Sequence, residues 1–255
     1  MTSWKKQLVG LVLVSGVLSI GVSACADNET SIFIRQVQTP AASPACGYTA
    51  DPSSEYYTMG KLDLAFRTEY VAGLLVGNQL VARGSSEQIR SESSRVRLEG
   101  SDVRIEKTDG SLIAQYSFPA AGFADAASGT QPGWGMVTTV LVNSETGKAL
   151  ASTFTAGERS ATVGRIVAVV KVFGKTLGGQ DVQSGEFRFP IEVCYGCLVS
   201  FPAGAYEPTA GPPPNCMNLG ETGTGAEDPC FLGQDTQVDC RVCHSSGFSD
   251  GLCEP

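Results

Sequence analysis

Nine cysteines and a single histidine carry the most specific chemistry in this 255-residue chain. Two Cys-x-x-Cys pairs, Cys194/Cys197 and Cys240/Cys243, have the spacing at which thiolates fill two corners of a tetrahedral zinc site, with His244 as a further donor. The 42 residues between the pairs exceed the roughly 15 to 20 of a zinc ribbon. Cys240-Arg241-Val242-Cys243-His244 also has the pattern of c-type haem attachment, in which two thioethers hold the porphyrin and the histidine binds iron. Only methionines, Met217 nearest, could then supply a sixth ligand. Gly247-Phe248-Ser249-Asp250-Gly251 has the form of a nucleophile elbow, but that chemistry requires a later histidine and none follows Ser249.

The choice among these chemistries depends on compartment, which the N-terminal residues address. Lys5 and Lys6 precede Leu8 to Val22, an uncharged apolar run of 15 residues, too short for a helix of roughly 20 residues that would span a bilayer. Val22-Ser23-Ala24-Cys25 follows, then the polar stretch from Ala26 to Thr30. These residues resemble the signal peptide and lipobox of bacterial lipoproteins, a resemblance confined to about the first 26 residues. It implies cleavage before Cys25, diacylation of that cysteine, and a membrane tether of more than one acyl chain, as stable anchoring requires. Ala26 in place of an aspartate directs such a protein to the outer membrane, facing the periplasm or the surface.

Removing Cys25 leaves Cys46, Cys194, Cys197, Cys216, Cys230, Cys240, Cys243 and Cys253, an even set that an oxidising envelope would turn into four disulfides. About 105 connectivities are possible, so the pairing stays open, although remote Cys46 must close a long loop. No cofactor or metal is expected on this reading. Nucleic acid is excluded by a net charge of −8, since phosphates require a basic surface. Glu221, Glu227, Asp228, Asp235 and Asp239 lack the spacing of a calcium loop and read as a solvated acidic face. Arg90, Arg95, Arg97 and Arg104 alternate with Glu87, Glu92, Glu99 and Glu106, a pattern for cross-strand pairing. Trp134, in Pro132-Gly133-Trp134-Gly135, is placed on a loop, where it either caps the core or contacts an envelope glycan or protein.

The elements that must position these residues read as strands. Leu62, Leu64 and Phe66 alternate with Lys61, Asp63 and Arg67; Val96 to Glu99, Val103 to Lys107, Leu112 to Phe118, Met136 to Asn143 and Thr162 to Phe173 are further strands. Asp109-Gly110 and Ser144 to Gly147 are read as turns. Gly73 and Gly77 suggest a bulge within Glu69 to Ala82, and Pro190 marks Gly185 to Val193 as an edge strand. The fold class is therefore all-β, an antiparallel immunoglobulin-like sandwich followed by a disulfide-rich module. The expected divisions are a leader at 1–24, an anchor and Pro/Ala/Ser-rich spacer with one strand at 25–58, the sandwich at 59–193 and an acidic cysteine-rich module at 194–255. That module holds one arginine against eight acidic residues, with too little apolar alternation for a core. A binding or structural role in the envelope fits best, with an envelope enzyme or redox protein as the alternative. The haem and disulfide readings separate in one measurement: the purified protein should be colourless, and a Soret band with a peroxidase stain after denaturing electrophoresis would establish haem instead.

Overall fold

Period-two alternation over long β-branched runs dictates strands, and apolar residues on one face of each dictate that the strands share a core. The computed structural model describes residues 31–85, 91–154, 160–207, 214–219, 229–248 and 250–253. Its strands are β1 (Ile32–Gln38), β2 (Tyr56–Tyr57), β3 (Gly60–Asp63), β4 (Tyr70–Asn78), β5 (Val96–Lys107), β6 (Leu112–Ala124) and β7 (Gly133–Val142). Helix α1 (Ser144–Ala151) leads to β8 (Ser160–Thr176), β9 (Asp181–Gln183) and β10 (Phe187–Tyr195). After these come the short β11 (Val199–Ser200) and β12 (Val238–Asp239), α2 (Cys240–Ser245) and α3 (Asp250–Cys253).

The all-β and disulfide-rich character is present, but the strands do not divide into two sheets. They form one sheet in the order β2-β1-β4-β7-β6-β5-β8-β10-β3, with β9 beside β8. The sheet is mixed, since β3 runs parallel to β10. It curls until an isolated parallel bridge, Ile32 to Ser184, brings β1 beside the return strand, giving a near-barrel. Long strands with strong twist close on themselves in this way and so avoid free edges. Within the strand order the pairing is loosest between β6 and β7, which pair at Ala124 and Gly135. There Tyr116 bridges the gap: its hydroxyl donates to the Leu141 carbonyl at 2.8 Å and accepts from the Asn143 N–H at 3.1 Å.

Tyr70, Ala72, Leu74 and Val76 of β4 point inward with Val96, Val103 and Ile105 of β5, Ala168, Val170 and Val172 of β8, and Phe189 and Ile191 of β10. Each fully buried aliphatic side chain contributes about 1.5 to 3 kcal/mol. One polar pair interrupts this core: Ser101 and Thr139, both fully buried, share a hydrogen bond of 2.5 Å.

Several local readings are revised. β4 runs straight through Gly73 and Gly77 without a bulge; the glycines instead admit the rings of Tyr48 and Phe33, where a Cβ would lie 2.5 and 2.3 Å from ring carbon. Ser144 to Gly147 opens α1 rather than forming a turn, because the Asn143 side chain caps it by accepting from the Thr146 N–H. Pro190 lies in a strand with neighbours on both sides, yet the β3 ladder begins only at Ile191, so its missing N–H falls where that edge is still open. The proline-rich stretch after β1 is not a detached spacer: Gln38 donates to the Asp51 carbonyl at 2.6 Å and holds it against the sheet.

Register defines two rims. At the proximal rim, Phe33, Gly77 and Trp134 lie in one row, Gly135 pairs Ala124, and Val96 lies between Ala124 and Thr176. At the distal rim, Tyr70 pairs Val142, Lys107 pairs Ile166, and Cys194 pairs Asp63. Ser101→Ala should cost about 1 to 3 kcal/mol in urea unfolding, because it leaves the Thr139 hydroxyl buried without a partner. Adding Thr139→Val should recover most of that loss; an equally unstable double variant would show the pair is not coupled.

Candidate functional site

All eight cysteines within the described residues are paired: Cys46–Cys230, Cys194–Cys197, Cys216–Cys240 and Cys243–Cys253. The two Cys-x-x-Cys pairs thus behave differently. Cys194 and Cys197 bond each other, whereas Cys240 and Cys243, one helical turn apart on α2, reach separate partners. This bonding leaves no thiolates for a zinc tetrahedron and no thiols to form haem thioethers at Cys240 and Cys243. The remote Cys46 does close a long loop, of sequence separation 184.

The distal module has a small core of its own, contrary to its sparse apolar pattern. Leu198, Val199, Val238 and Leu252 pack with the buried sulfurs of Cys216, Cys240, Cys243 and Cys253. The body contributes Phe66, whose ring meets Phe248 edge-on at 4.7 Å. Half-cystines fill space as small apolar groups, so they supply both cross-links and core.

Two carboxylates join this module to the barrel. Asp63 is fully buried and accepts from the N–H groups of Gly196 at 2.6 Å, Leu198 at 2.9 Å and Ala65 at 3.1 Å. It lies beside Cys194 and Cys197. Asp235 accepts from the Lys61 N–H at 2.8 Å and the Tyr70 hydroxyl at 2.8 Å. Beside it Gln234 mimics a strand, accepting from the Val71 N–H and donating to the Val71 carbonyl. Burial pushes the Asp235 carboxyl above its usual range and the Tyr70 hydroxyl well above its own, the latter helped by the adjacent Asp235 charge. Burial likewise raises Tyr48 to about 12. The carboxylates of Asp63 and Asp235 thus join the module to the barrel through protein donors.

Trp134 lies on strand β7, not on a loop, because Gly77 leaves room across the sheet for the Phe33 ring to meet it edge-on at 5.8 Å. The Arg35 guanidinium sits 5.5 Å from the indole centroid. Nearby, Arg95 lies 4.7 Å from the exposed Phe123 ring and pairs Asp125 at 3.0 Å. The alternating charges pair along β5 rather than across strands, Arg97 with Glu99 and Arg104 with Glu106, while their partners elsewhere in the chain, Arg188 for Glu106 and Glu186 for Arg104, lie outside the alternating set. Asp239 caps α2 and pairs Arg241 at 2.7 Å, which holds its carboxyl below the usual range.

A cavity of about 360 Å3 lies at the β6–β7 gap, lined by Ile113, Tyr116, Asn143 and Glu145. A second, of about 210 Å3, lies beside Cys230, Tyr57 and Thr236. Cys25 and the whole leader, Ser249, Glu221, Glu227, Asp228, Glu87 and Arg90 lie outside the described residues. Asp235 and Asp239 are not part of a solvated acidic face, since Asp235 is turned into the barrel edge and Asp239 caps α2; Phe33 and Asp63 were not visible as site residues, because Asp63 occupies an outward position in the alternation and nothing local signals its burial.

Among the described residues, no helix is long and apolar enough to cross a membrane. No protein-family model matches the chain, and no curated protein matches it either.

Two outcomes follow from the joints and cross-links. A carboxyl whose folded pKa is raised contributes stability below its unfolded pKa of about 3.9 and loses it as pH rises through the folded value. The stability of the wild type relative to Asp235→Asn should therefore fall as pH increases from 4 to 7 in denaturant titrations; a constant or rising difference would contradict the buried joint. Stepwise reduction with alkylation should label Cys46, Cys230 and the exposed Cys197 pair before Cys216–Cys240 and Cys243–Cys253, whose sulfurs are enclosed. Simultaneous release of all four bonds would show that the module opens as a unit.

Proposed function

We propose that the chain is a lipid-anchored protein of the bacterial cell envelope, tethered to the outer membrane through Cys25 and acting by binding or as a structural element. The observation that carries this reading is the cysteine inventory. Eight of nine cysteines pair among themselves, as in an oxidising compartment, and the ninth stands at the end of a lipobox. The near-barrel serves as a rigid scaffold in the manner of an immunoglobulin-like sandwich, with the module as a covalently fastened cap. Carboxylates engaged by protein donors and paired sulfurs favour binding over catalysis. The partner class is an envelope protein or glycan.

Labelled palmitate should enter the wild-type protein and not Cys25→Ser, and the wild type should partition with outer membranes. An unlabelled wild type released in soluble form would overturn the anchor.

A further inference from the structure

The proximal rim is the end of the barrel at which β1 begins, and it presents aromatic and aliphatic side chains beside arginines. Val81 in the loop after β4, Leu177 in the turn after β8, and Phe123 near the end of β6 are 61%, 54% and 46% exposed. Trp134 and Phe33 adjoin them on the outer flank, partly exposed. Among the described residues six large apolar side chains stand in solvent; these three lie at the proximal rim and the other three, Tyr56, Leu112 and Tyr206, at the distal end. Exposed apolar side chains gathered with cations at the end where the chain enters are suited to an interaction surface.

We propose that this rim is a membrane-contact face, with Trp134, Phe123, Leu177 and Val81 resting in the lipid headgroup layer. The inference rests on the lipid-anchored reading, and chain length commits it to that occupant. Only six residue steps separate Cys25 from Ser31, where β1 is about to begin. At no more than about 3.6 Å per residue, the tether reaches about 22 Å at most, so the start of β1 cannot leave the bilayer surface by more than that. The side chains suit the site. Tryptophan and phenylalanine with adjoining cations are the residues that settle at a membrane interface, ring toward the acyl chains and charge toward phosphate.

Charge supports the same orientation. Arg35 and Arg95 lie over the Trp134 and Phe123 rings. The nearby Glu92 carboxylate is turned onto the N–H groups of Arg83, Gly84 and Ser94, which hold it below its usual range, and Asp125 is paired by Arg95. The acidic module, with one arginine against eight acidic residues, is fastened at the opposite rim. An anionic leaflet would repel that end and admit the proximal one.

The test uses the mature lipid-anchored protein that begins at Cys25, in which Trp134 is the only tryptophan, reconstituted into phosphatidylethanolamine–phosphatidylglycerol vesicles. Flotation reads the anchor; quenching of Trp134 by phospholipid brominated near the headgroup end of its acyl chains reads the face. Loss of Trp134 emission in floating protein is expected, with recovery in Val81→Asp/Leu177→Asp, whose exposed positions spare the fold. Floating protein with unquenched Trp134 would overturn the contact face and leave the anchor standing. Should the protein not float, coupling Cys25 to a maleimide-headgroup lipid restores a tether of the same length, and quenching then decides the face by itself. Trp134 that ignores lipid but shifts its emission on adding purified peptidoglycan would assign the rim to a glycan and overturn the proposal.

Discussion

The buried carboxylate of Asp63 is the point on which the two halves of the molecule depend. A charge placed in a protein interior is unfavourable unless donors surround it. Here three backbone N–H groups do so, two of them from the turn that contains Cys197. The chain leaving β10 must therefore bend over the end of β3 rather than continue outward. Once that bend is made, Gln234 and Asp235 can reach the barrel edge at Val71 and Lys61, and Phe248 can reach Phe66. The disulfides hold an arrangement that the carboxylates direct.

Near-closure of the sheet is a second consequence of geometry rather than of any one contact. β8 is long enough to pair with β5 along its whole length while offering β9 and β10 successive stretches of its other edge. The return strand then passes the start of β1, and a single bridge suffices to complete the circuit. Where β6 and β7 separate, the freed backbone groups of Leu141 and Asn143 find the Tyr116 hydroxyl. Burial raises the pKa of that hydroxyl, so it remains a neutral donor.

Strand character was legible because alternation is a local property: the inward sets of β5, β8 and β10 can be picked out residue by residue. So was the long reach of Cys46, which has no neighbour in sequence to bond. Sheet number was not, because two packed sheets and one curled sheet bury the same alternating residues and differ only in which edges meet. Trp134 was misplaced by Pro132 and Gly133, which signal a turn locally, whereas the space that admits its strand partner comes from Gly77, far away in sequence. The residues after β1 look like a spacer by composition; Tyr48 fastens them by filling the gap above Gly73. Asp63 and Asp235 gave no sign of their roles, since a buried acid is defined by the backbone that surrounds it and not by its sequence neighbours.

The bond between Cys46 and Cys230 also changes how the molecule bears tension. A pull entering at Ser31 and leaving through the cap travels along β1, crosses from Cys46 to Cys230 and bypasses nearly everything between them. The intervening strands lie on a slack branch. Only the stretch from Ser31 to Cys46 can lengthen before the covalent link is taut, about 50 Å of chain at most. The molecule is a short, stiff link in the direction of its own chain entry, and its hydrophobic interior lies out of the line of force.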